Sequence, residues 1–108
     1  MIERVVFIKL KSEFATDETR AQVAQTTATT LPGAVGVRDL RVATPADERT
    51  RRSWDLCIEV VFDDLEAVER YRTDPVHRKY VDVFLRPMME KIRVYNFERF
   101  ERFTPSES

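Results

Sequence analysis

One segment, WDLCIEVVF at positions 54–62, alternates regularly between apolar and polar side chains. Its two rows are Trp54, Leu56, Ile58, Val60 and Phe62 on one side and Asp55, Cys57 and Glu59 on the other. Successive side chains of a strand point to opposite faces, so the pattern predicts a strand with one face in a core. A slip by one residue would expose the whole apolar row, and the register of this strand should therefore be fixed.

A second strand is predicted over residues 2–10, with a polar interruption. Its even positions form an apolar row of Ile2, Val6, Ile8 and Leu10. Val5 and Phe7 make the other row partly apolar, so both faces of this strand should be covered. Arg4 is the polar exception in the apolar row.

Three helices follow from capping signals. Thr16 precedes a helix that ends near Pro32 and Gly33, and Asp63 with Glu66 marks the start of a second, which runs to about Thr73. The third should begin with Asp74 as its N-cap and Pro75 at its first position, and Pro87 should end or kink it.

The remaining segments complete one domain. Residues 36–43 and the stretch from residue 91 predict two further strands, and residues 45–53 a charged, solvated loop between strands. Residues 104–108 are expected to be a disordered tail, which leaves a single domain at 1–103. The order is strand, helix, strand, strand, two helices, strand.

That order is typical of a ferredoxin-like α+β unit, βαββααβ, with helices on one face of an antiparallel sheet. The other sheet face would then be bare although its strands carry apolar side chains. A second copy of the chain could bury this face, so we expect a homodimer formed through the sheet face.

The composition excludes several classes of partner. Lys and Arg number 18 against 19 for Asp and Glu, a net charge of −1 that gives no long-range attraction to nucleic acid or to a membrane surface. Cys57, the one cysteine, cannot form an internal disulfide, and no Cys/His spacing matches a metal site. The start of the chain lacks a cleavable signal pattern, so a cytoplasmic location without metal or other cofactor is expected.

The one histidine is the main candidate for chemistry. As the third residue of the helix capped by Asp74, His77 should be favoured in its neutral form, which can act as a general base. Tyr71 and Arg4 could supply a donor and a charge where an enolate develops, although Arg4 itself stays protonated and cannot be a base. The alternatives are a His77 that bonds its own turn and an Arg4 that pairs with an acidic residue.

Three aromatic residues are predicted as substrate-binding pocket walls together with Arg4. They are Trp54, Tyr80 and Phe84. Apolar aromatic side chains of this kind are more often core than site, and for Tyr71 too the alternative is packing with its hydroxyl hydrogen-bonded.

Three stretches resemble the stress-responsive A/B barrel (Dabb) family: IERVVFIKLK, WDLCIEVVFDDLEAVERY and YRTDPVHRKYVDVF, the last with Tyr71, Pro75 and His77 in the spacing of the family. The resemblance implies a dimeric α+β barrel with a pocket between helices and sheet in each unit. In the plant polyketide cyclases of that family, which perform an intramolecular aldol condensation, a histidine corresponds to His77 and a pocket tyrosine to Tyr71. Their first-strand histidine falls on Arg4 and their helix tyrosine near Thr26, so two of the four groups differ.

The residues and the resemblance leave three functions open, and with them the question of whether the protein is an enzyme. The first is the binding of a small apolar or polyketide-like molecule, with cyclase-like chemistry at His77 and Tyr71. The second is a non-catalytic, stress-responsive dimeric module. The third is a cofactor-independent monooxygenase, for which Trp54 is the one candidate tryptophan.

Overall fold

The computed structural model describes residues 1–100 as four strands and a set of helices. The strands are β1 (Ile2–Leu10), β2 (Asp39–Ala43), β3 (Leu56–Phe62) and β4 (Met89–Glu98). The helices are α1 (Asp17–Thr30), α2 (Glu48–Ser53), α3 (Leu65–Thr73) and α4 (Pro75–Lys79). A π-helical turn (Tyr80–Leu85) and a 3₁₀ turn (Arg86–Met88) continue α4, and further 3₁₀ turns precede and follow α1 (Ser12–Phe14 and Leu31–Gly33).

The sheet has the order β2-β3-β1-β4, and each neighbouring pair is antiparallel. This is the ferredoxin-like α+β arrangement predicted from the order of elements. The two central strands, β1 and β3, bring Ile2 opposite Phe62 and Arg4 opposite Val60. Arg4 therefore lies in the row whose other members are core residues.

The core lies between this face of the sheet and the helices. Its buried members come from every layer: Ile2, Ile8, Leu10, Leu56, Ile58, Val60 and Phe62 from the sheet, and Val23, Leu31, Val68, Tyr71, Tyr80 and Leu85 from the helical side. The opposite face, which we call the open face, carries the apolar residues Val5, Phe7, Val61, Tyr95 and Phe97 beside the charged residues Glu3, Arg41, Glu59 and Arg93. Tyr95 and Phe97 are 50% and 57% exposed.

Helix caps follow the predicted chemistry, with one change of residue. Thr16 caps α1 by accepting a hydrogen bond from the backbone of Thr19, and Asp74 caps α4 ahead of Pro75. The cap of α3 is Asp64, not Asp63, because the Asp64 carboxylate accepts from the Ala67 N–H over 2.8 Å. Asp63 instead forms an ion pair with Arg38.

Three boundaries differ from the sequence prediction, and the smallest difference is at β4, which begins at Met89 instead of residue 91. The expected charged loop at 45–53 contains α2, because Asp47 caps a helical turn by accepting from the Thr50 N–H. Strand β2 begins at Asp39, later than residue 36, since Gly36 has φ +82° and turns the chain before the strand starts. The predicted end of the last strand at 101–103 and the expected tail at 104–108 lie outside the described residues.

The start of β3 departs from the predicted alternation. Trp54 and Asp55 precede the strand, and Asp55, expected on the polar row, is fully buried against Arg20 of α1. Trp54 packs on Phe7 of the open face, with ring centroids 5.5 Å apart. The buried ion pair outweighs the alternation here, so the prediction that Trp54 shares a face with Leu56 is wrong.

No helix among residues 1–100 is long and apolar enough to cross a bilayer.

Candidate functional site

Tyr71 and His77 contact each other across the break between α3 and α4. Asp74 ends α3 and caps α4, and Pro75 occupies the first position of α4, so the chain changes direction between the two aromatic residues. Their ring centroids are 4.2 Å apart with an angle of 37° between the planes. The sequence spacing that singled out these residues thus reflects a direct contact.

The imidazole of His77 is held by a backbone carbonyl. Its Nδ1 lies 3.2 Å from the carbonyl oxygen of Arg72, which can only accept a hydrogen bond, so Nδ1 carries the proton in the neutral ring. The other nitrogen, Nε2, then has a free lone pair. The Arg72 carbonyl belongs to α3, the helix before α4. This bond is therefore similar to the alternative in which His77 bonds its own turn. It involves Nδ1 and not Nε2.

Burial keeps His77 neutral. Loss of water around the half-buried ring lowers the pKa of His77, the Arg72 carbonyl opposes that effect, and the positive charges of Arg78, Arg4 and Arg72 add to it. The pKa of an ordinary histidine is already below physiological pH, so the imidazole is available as a base at pH 7.

Tyr71 is a proton donor in this setting. Its side chain is 3% exposed and packs on Phe62 with ring centroids 4.8 Å apart. Burial raises the pKa of Tyr71, and the positive charge of Arg4 only partly offsets that effect. The phenol therefore remains protonated, and it can donate a hydrogen bond but cannot act as a base.

Arg4 reaches this pair from the sheet. On the core side of β1 it is the diagonal neighbour of Phe62, and Tyr71 packs on Phe62. Its Nη1 donates to Asn96 Oδ1 over 3.0 Å, which orients the guanidinium from β4. The ion pairs found within residues 1–100 do not include Arg4, so the acidic partner that an interior arginine would require is not present in that part of the chain.

Neighbouring charges on α3 largely compensate each other. Arg72 forms an ion pair with Glu69 over 3.2 Å, and both influence the electrostatic environment of Arg4. Burial is the main cause that lowers the pKa of Arg4, but an arginine so placed still stays protonated. The site therefore combines a neutral base, a protonated phenol and a guanidinium.

The predicted pocket walls divide between two places. The Tyr80 side chain is buried, and its hydroxyl is hydrogen-bonded to Thr27 of α1. Its ring lies 5.6 Å from that of Phe84. Phe84 lines a groove of about 570 Å³ against α1, together with Thr26. Of these residues, Tyr80 is close enough to Tyr71 to add to the burial that raises the pKa of Tyr71, whereas the groove at Phe84 is lined by neither Tyr71 nor His77.

Trp54 lies apart from this group. It contacts Phe7 on the open face, and the Nζ of Lys91 lies 5.6 Å from the centroid of its ring. The sheet therefore separates Trp54 from Tyr71, which packs on the core side.

Two groups that orient the side chains of the site were not predicted from the sequence. Asn96 orients Arg4, and the carbonyl of Arg72 fixes the tautomer of His77. An asparagine in an otherwise apolar and charged edge strand was the only available signal for the first, and its partner could be named only once the β1–β4 register was known.

Family membership is settled by the sequence as a whole. The model of the Stress responsive A/B Barrel Domain, Dabb, matches residues 2–99. The chain belongs to the Dabb family. No match was found among curated proteins.

Solved structures confirm the fold of this Dabb protein. A Dabb family protein with a ferredoxin-like fold from Mesorhizobium loti is 19% identical, with a TM-score of 0.75 over 93% of this chain and 97% of that one. A dimeric ferredoxin-like protein of unknown function from Bacteroides fragilis is 20% identical, with a TM-score of 0.74 over 91% and 95%. A hydroxynitrile lyase from Passiflora edulis is 18% identical, with a TM-score of 0.74 over 95% and 96%.

Proposed function

We propose that this Dabb protein binds a small apolar or polyketide-like carbonyl compound between its helices and its sheet, and that His77 removes a proton from the carbon next to the carbonyl. The observation that carries the proposal is the contact between Tyr71 and His77, with the His77 tautomer fixed by Arg72. A lone pair and a phenolic proton then lie within one small region, as enolisation requires.

Each group has one role in this reaction. Nε2 of His77 accepts the proton from the carbon, and the bonding electrons move to the carbonyl oxygen to give an enolate. Tyr71 donates a hydrogen bond to that oxygen as its charge develops. Arg4 supplies positive charge at the sheet side, and Tyr80 and Phe84 bound the apolar part of the ligand.

Ring closure by an aldol step is a narrower possibility within the same proposal. An enolate formed at His77 would attack a second carbonyl of the same molecule, and the resulting alkoxide would take back the proton that His77 had accepted. Arg4 stands where the plant cyclases have a histidine, and Thr26 near the place of their tyrosine. Because these two groups of the plant cyclases are replaced here, enolisation, which needs only His77 and Tyr71, is favoured over ring closure.

The two other functions are supported less well. A stress-responsive module without chemistry does not require the contact of Tyr71 with His77. The Passiflora edulis neighbour is named as an enzyme, which also favours a catalytic use of the fold. A monooxygenase that used a pocket tryptophan would need Trp54 beside the ligand, and Trp54 packs on Phe7 instead.

We also propose that two copies pair through the open face. Val5 and Tyr95 are directly opposite each other there, and Tyr95 and Phe97 are half exposed in the single chain. Burying such a surface is favourable by about 25 cal/mol per Å² of apolar area. The description of the Bacteroides fragilis neighbour as dimeric is consistent with this assembly.

Deuterium exchange tests the proposed chemistry directly. The protein is incubated in D₂O with 2-pentanone, and incorporation at the carbons beside the carbonyl is followed by NMR. We expect exchange above the buffer rate, a large loss with His77→Gln and a smaller loss with Tyr71→Phe. The matched control is Arg70→Gln, a change at an exposed position of α3. Equal exchange by the native protein and His77→Gln would contradict the role of His77.

A further inference from the structure

Arg4 is an unusual residue for its place in the sheet. It faces the core side of β1, in a row whose members Ile2, Ile8 and Leu10 are 7%, 0% and 1% exposed, while Arg4 and Val6 between them are partly buried. Removing a guanidinium from water costs free energy unless an anion or several hydrogen bonds replace the lost solvent. A neutral apolar residue would fill the same row without that cost, so the charge at Arg4 calls for a function.

The partner of Arg4 does not neutralise it. Asn96 Oδ1 accepts one hydrogen bond, but a carboxamide carries no net charge. The guanidinium has five N–H donors, so this bond occupies only a fraction of them. Arg4 is thus oriented by β4 while its positive charge is not cancelled by Asn96.

The nearest acidic side chain on α3 has another partner. Glu69 pairs with Arg72 through both carboxylate oxygens, each 3.2 Å from Arg72 Nη1. Together these two side chains have no net charge. Asp74 keeps its charge while its carboxylate accepts from the Val76 N–H at the start of α4, and in addition to burial that charge raises the pKa of Tyr71. Within residues 1–100, no acidic side chain forms an ion pair with Arg4, so its charge is not cancelled by a direct partner.

We propose that the natural substrate of this site is an anion, a carbonyl compound with a carboxylate at some distance from its reacting carbon, and that Arg4 binds the carboxylate. This inference deepens the proposed function and rests on it for the chemistry at His77. A guanidinium fork matches a carboxylate in geometry and charge, and it can bind both oxygens at once. The half-buried position strengthens the pair by reducing competition from water.

The arrangement also separates two roles. In the proposed reaction Tyr71 binds the enolate oxygen, and Tyr71 packs on Phe62. Arg4 lies opposite Val60, which is two residues from Phe62 on the same face of β3. The carboxylate would then be held at the sheet while the carbonyl lies below the Tyr71–His77 pair. Arg4 thereby determines which ketones bind, and His77 determines which C–H bond is broken.

A pair of ketones that differ by one group tests the inference. Levulinate has the carbon skeleton of 2-pentanone with a carboxylate in place of the terminal methyl group. Exchange kinetics are measured for both, and binding of both is measured separately by calorimetric titration. With the native protein, levulinate should exceed 2-pentanone by about tenfold or more in kcat/KM and in affinity, because a charge-assisted hydrogen bond is worth a factor of that order.

Variants of Arg4 assign the preference to this residue. Arg4→Gln should reduce the ratio of the two kcat/KM values by about tenfold, mainly through KM for levulinate. Arg4→Lys should retain part of the preference, which separates loss of the charge from loss of the fold, and Arg70→Gln should retain all of it. The preference should also weaken at high salt, since screening acts on the charge pair alone.

Several outcomes would overturn the inference. One is a native protein that treats the two ketones alike. Another is an Arg4→Gln variant in which both exchange rates fall equally, because Arg4 would then act on the enolate oxygen instead of on a carboxylate. If neither ketone shows exchange that depends on His77, the proposed chemistry fails, and the titrations still decide whether Arg4 selects an anion.

Discussion

Arg20 on α1 and Asp55 ahead of β3 form a buried ion pair, with Arg20 Nε donating to Asp55 Oδ1 over 2.8 Å. The two residues are 8% and 0% exposed. The second carboxylate oxygen of Asp55 accepts the backbone N–H of Leu10 over 2.7 Å, and Arg20 Nη1 donates to Asp17. One carboxylate therefore joins the first helix to the ends of both central strands.

Removal of this carboxylate should destabilise the protein strongly. Asp55→Ala removes the buried charge partner of Arg20, leaving it with the exposed Asp17, and leaves the Leu10 N–H without an acceptor, which together cost about 3–5 kcal/mol of unfolding free energy. Equilibrium urea unfolding followed by circular dichroism measures the change.

The matched control for Asp55 is a surface aspartate with the same kind of partner. Asp63 pairs with Arg38 at a position where both side chains are exposed, so Asp63→Ala should have a small effect. Similar losses for the two variants would show that burial does not set the strength of the Arg20–Asp55 pair.

The Arg20–Asp55 pair also shows which part of the fold a local sequence pattern cannot predict. The alternation of Leu56, Ile58, Val60 and Phe62 was enough to predict β3 and its register, since it depends only on residues next to each other in the chain. At Asp55 the outcome depends on Arg20, a residue far away in sequence, and no local pattern contains that information. Trp54 was misassigned for the same reason.

The site shows the same division. Tyr71, Asp74, Pro75 and His77 belong to one short segment, so capping rules and spacing could predict the helix break that brings two rings into contact. The hydrogen bond between Arg4 and Asn96 joins residues at opposite ends of the domain, and it required the pairing of β1 with β4 to be known.

The hydroxyl of Tyr80 should contribute measurably to stability. Thr27 Oγ1 donates to the Val23 carbonyl over 2.7 Å, so it accepts the hydrogen bond of the Tyr80 phenol, and both side chains are buried. Tyr80→Phe should lower the unfolding free energy by about 0.5–1.5 kcal/mol, the usual value for one such bond. Thermal and urea unfolding provide the measurement. With Thr27→Val as background, the effect of Tyr80→Phe should shrink; an unchanged effect would mean that the hydroxyl acts elsewhere.

The Asp74 cap should matter more through its oxygen than through its charge. Its carboxylate accepts the Val76 N–H over 3.0 Å at the start of α4. Asp74→Ala should cost about 1 kcal/mol of unfolding free energy, while Asp74→Asn, which retains a capping oxygen, should cost little. Chemical denaturation distinguishes the two variants, and equal losses in both would point to the charge instead.

The protonation of His77 should follow from its burial. Because burial lowers the pKa of His77 in the folded protein, the unfolded chain binds a proton more readily near the ordinary histidine pKa of about 6.5. Folding stability from this residue is therefore complete above that pH and is lost as pH falls toward the folded pKa. The chain has one histidine, so NMR titration of its ring protons needs no assignment among several. The proposed exchange activity should decline with falling pH as the His77 ring of the folded protein becomes protonated. A ring that titrates at or above about pH 6.5 would contradict the effect of burial.

Charge on the open face should abolish the proposed dimer. Tyr95 lies directly opposite Val5 on that face and is 50% exposed in the single chain, so Tyr95→Glu would bury a second carboxylate across Val5 from Glu59. Analytical ultracentrifugation at micromolar concentration should give a dimer for the native protein and a monomer for this variant. Val83, 66% exposed on the π-helical turn after α4, offers the control, since Val83→Glu introduces the same charge away from the sheet and should leave the dimer intact. A native protein that sediments as a monomer, or a dimer that survives Tyr95→Glu, would exclude the open face as the interface.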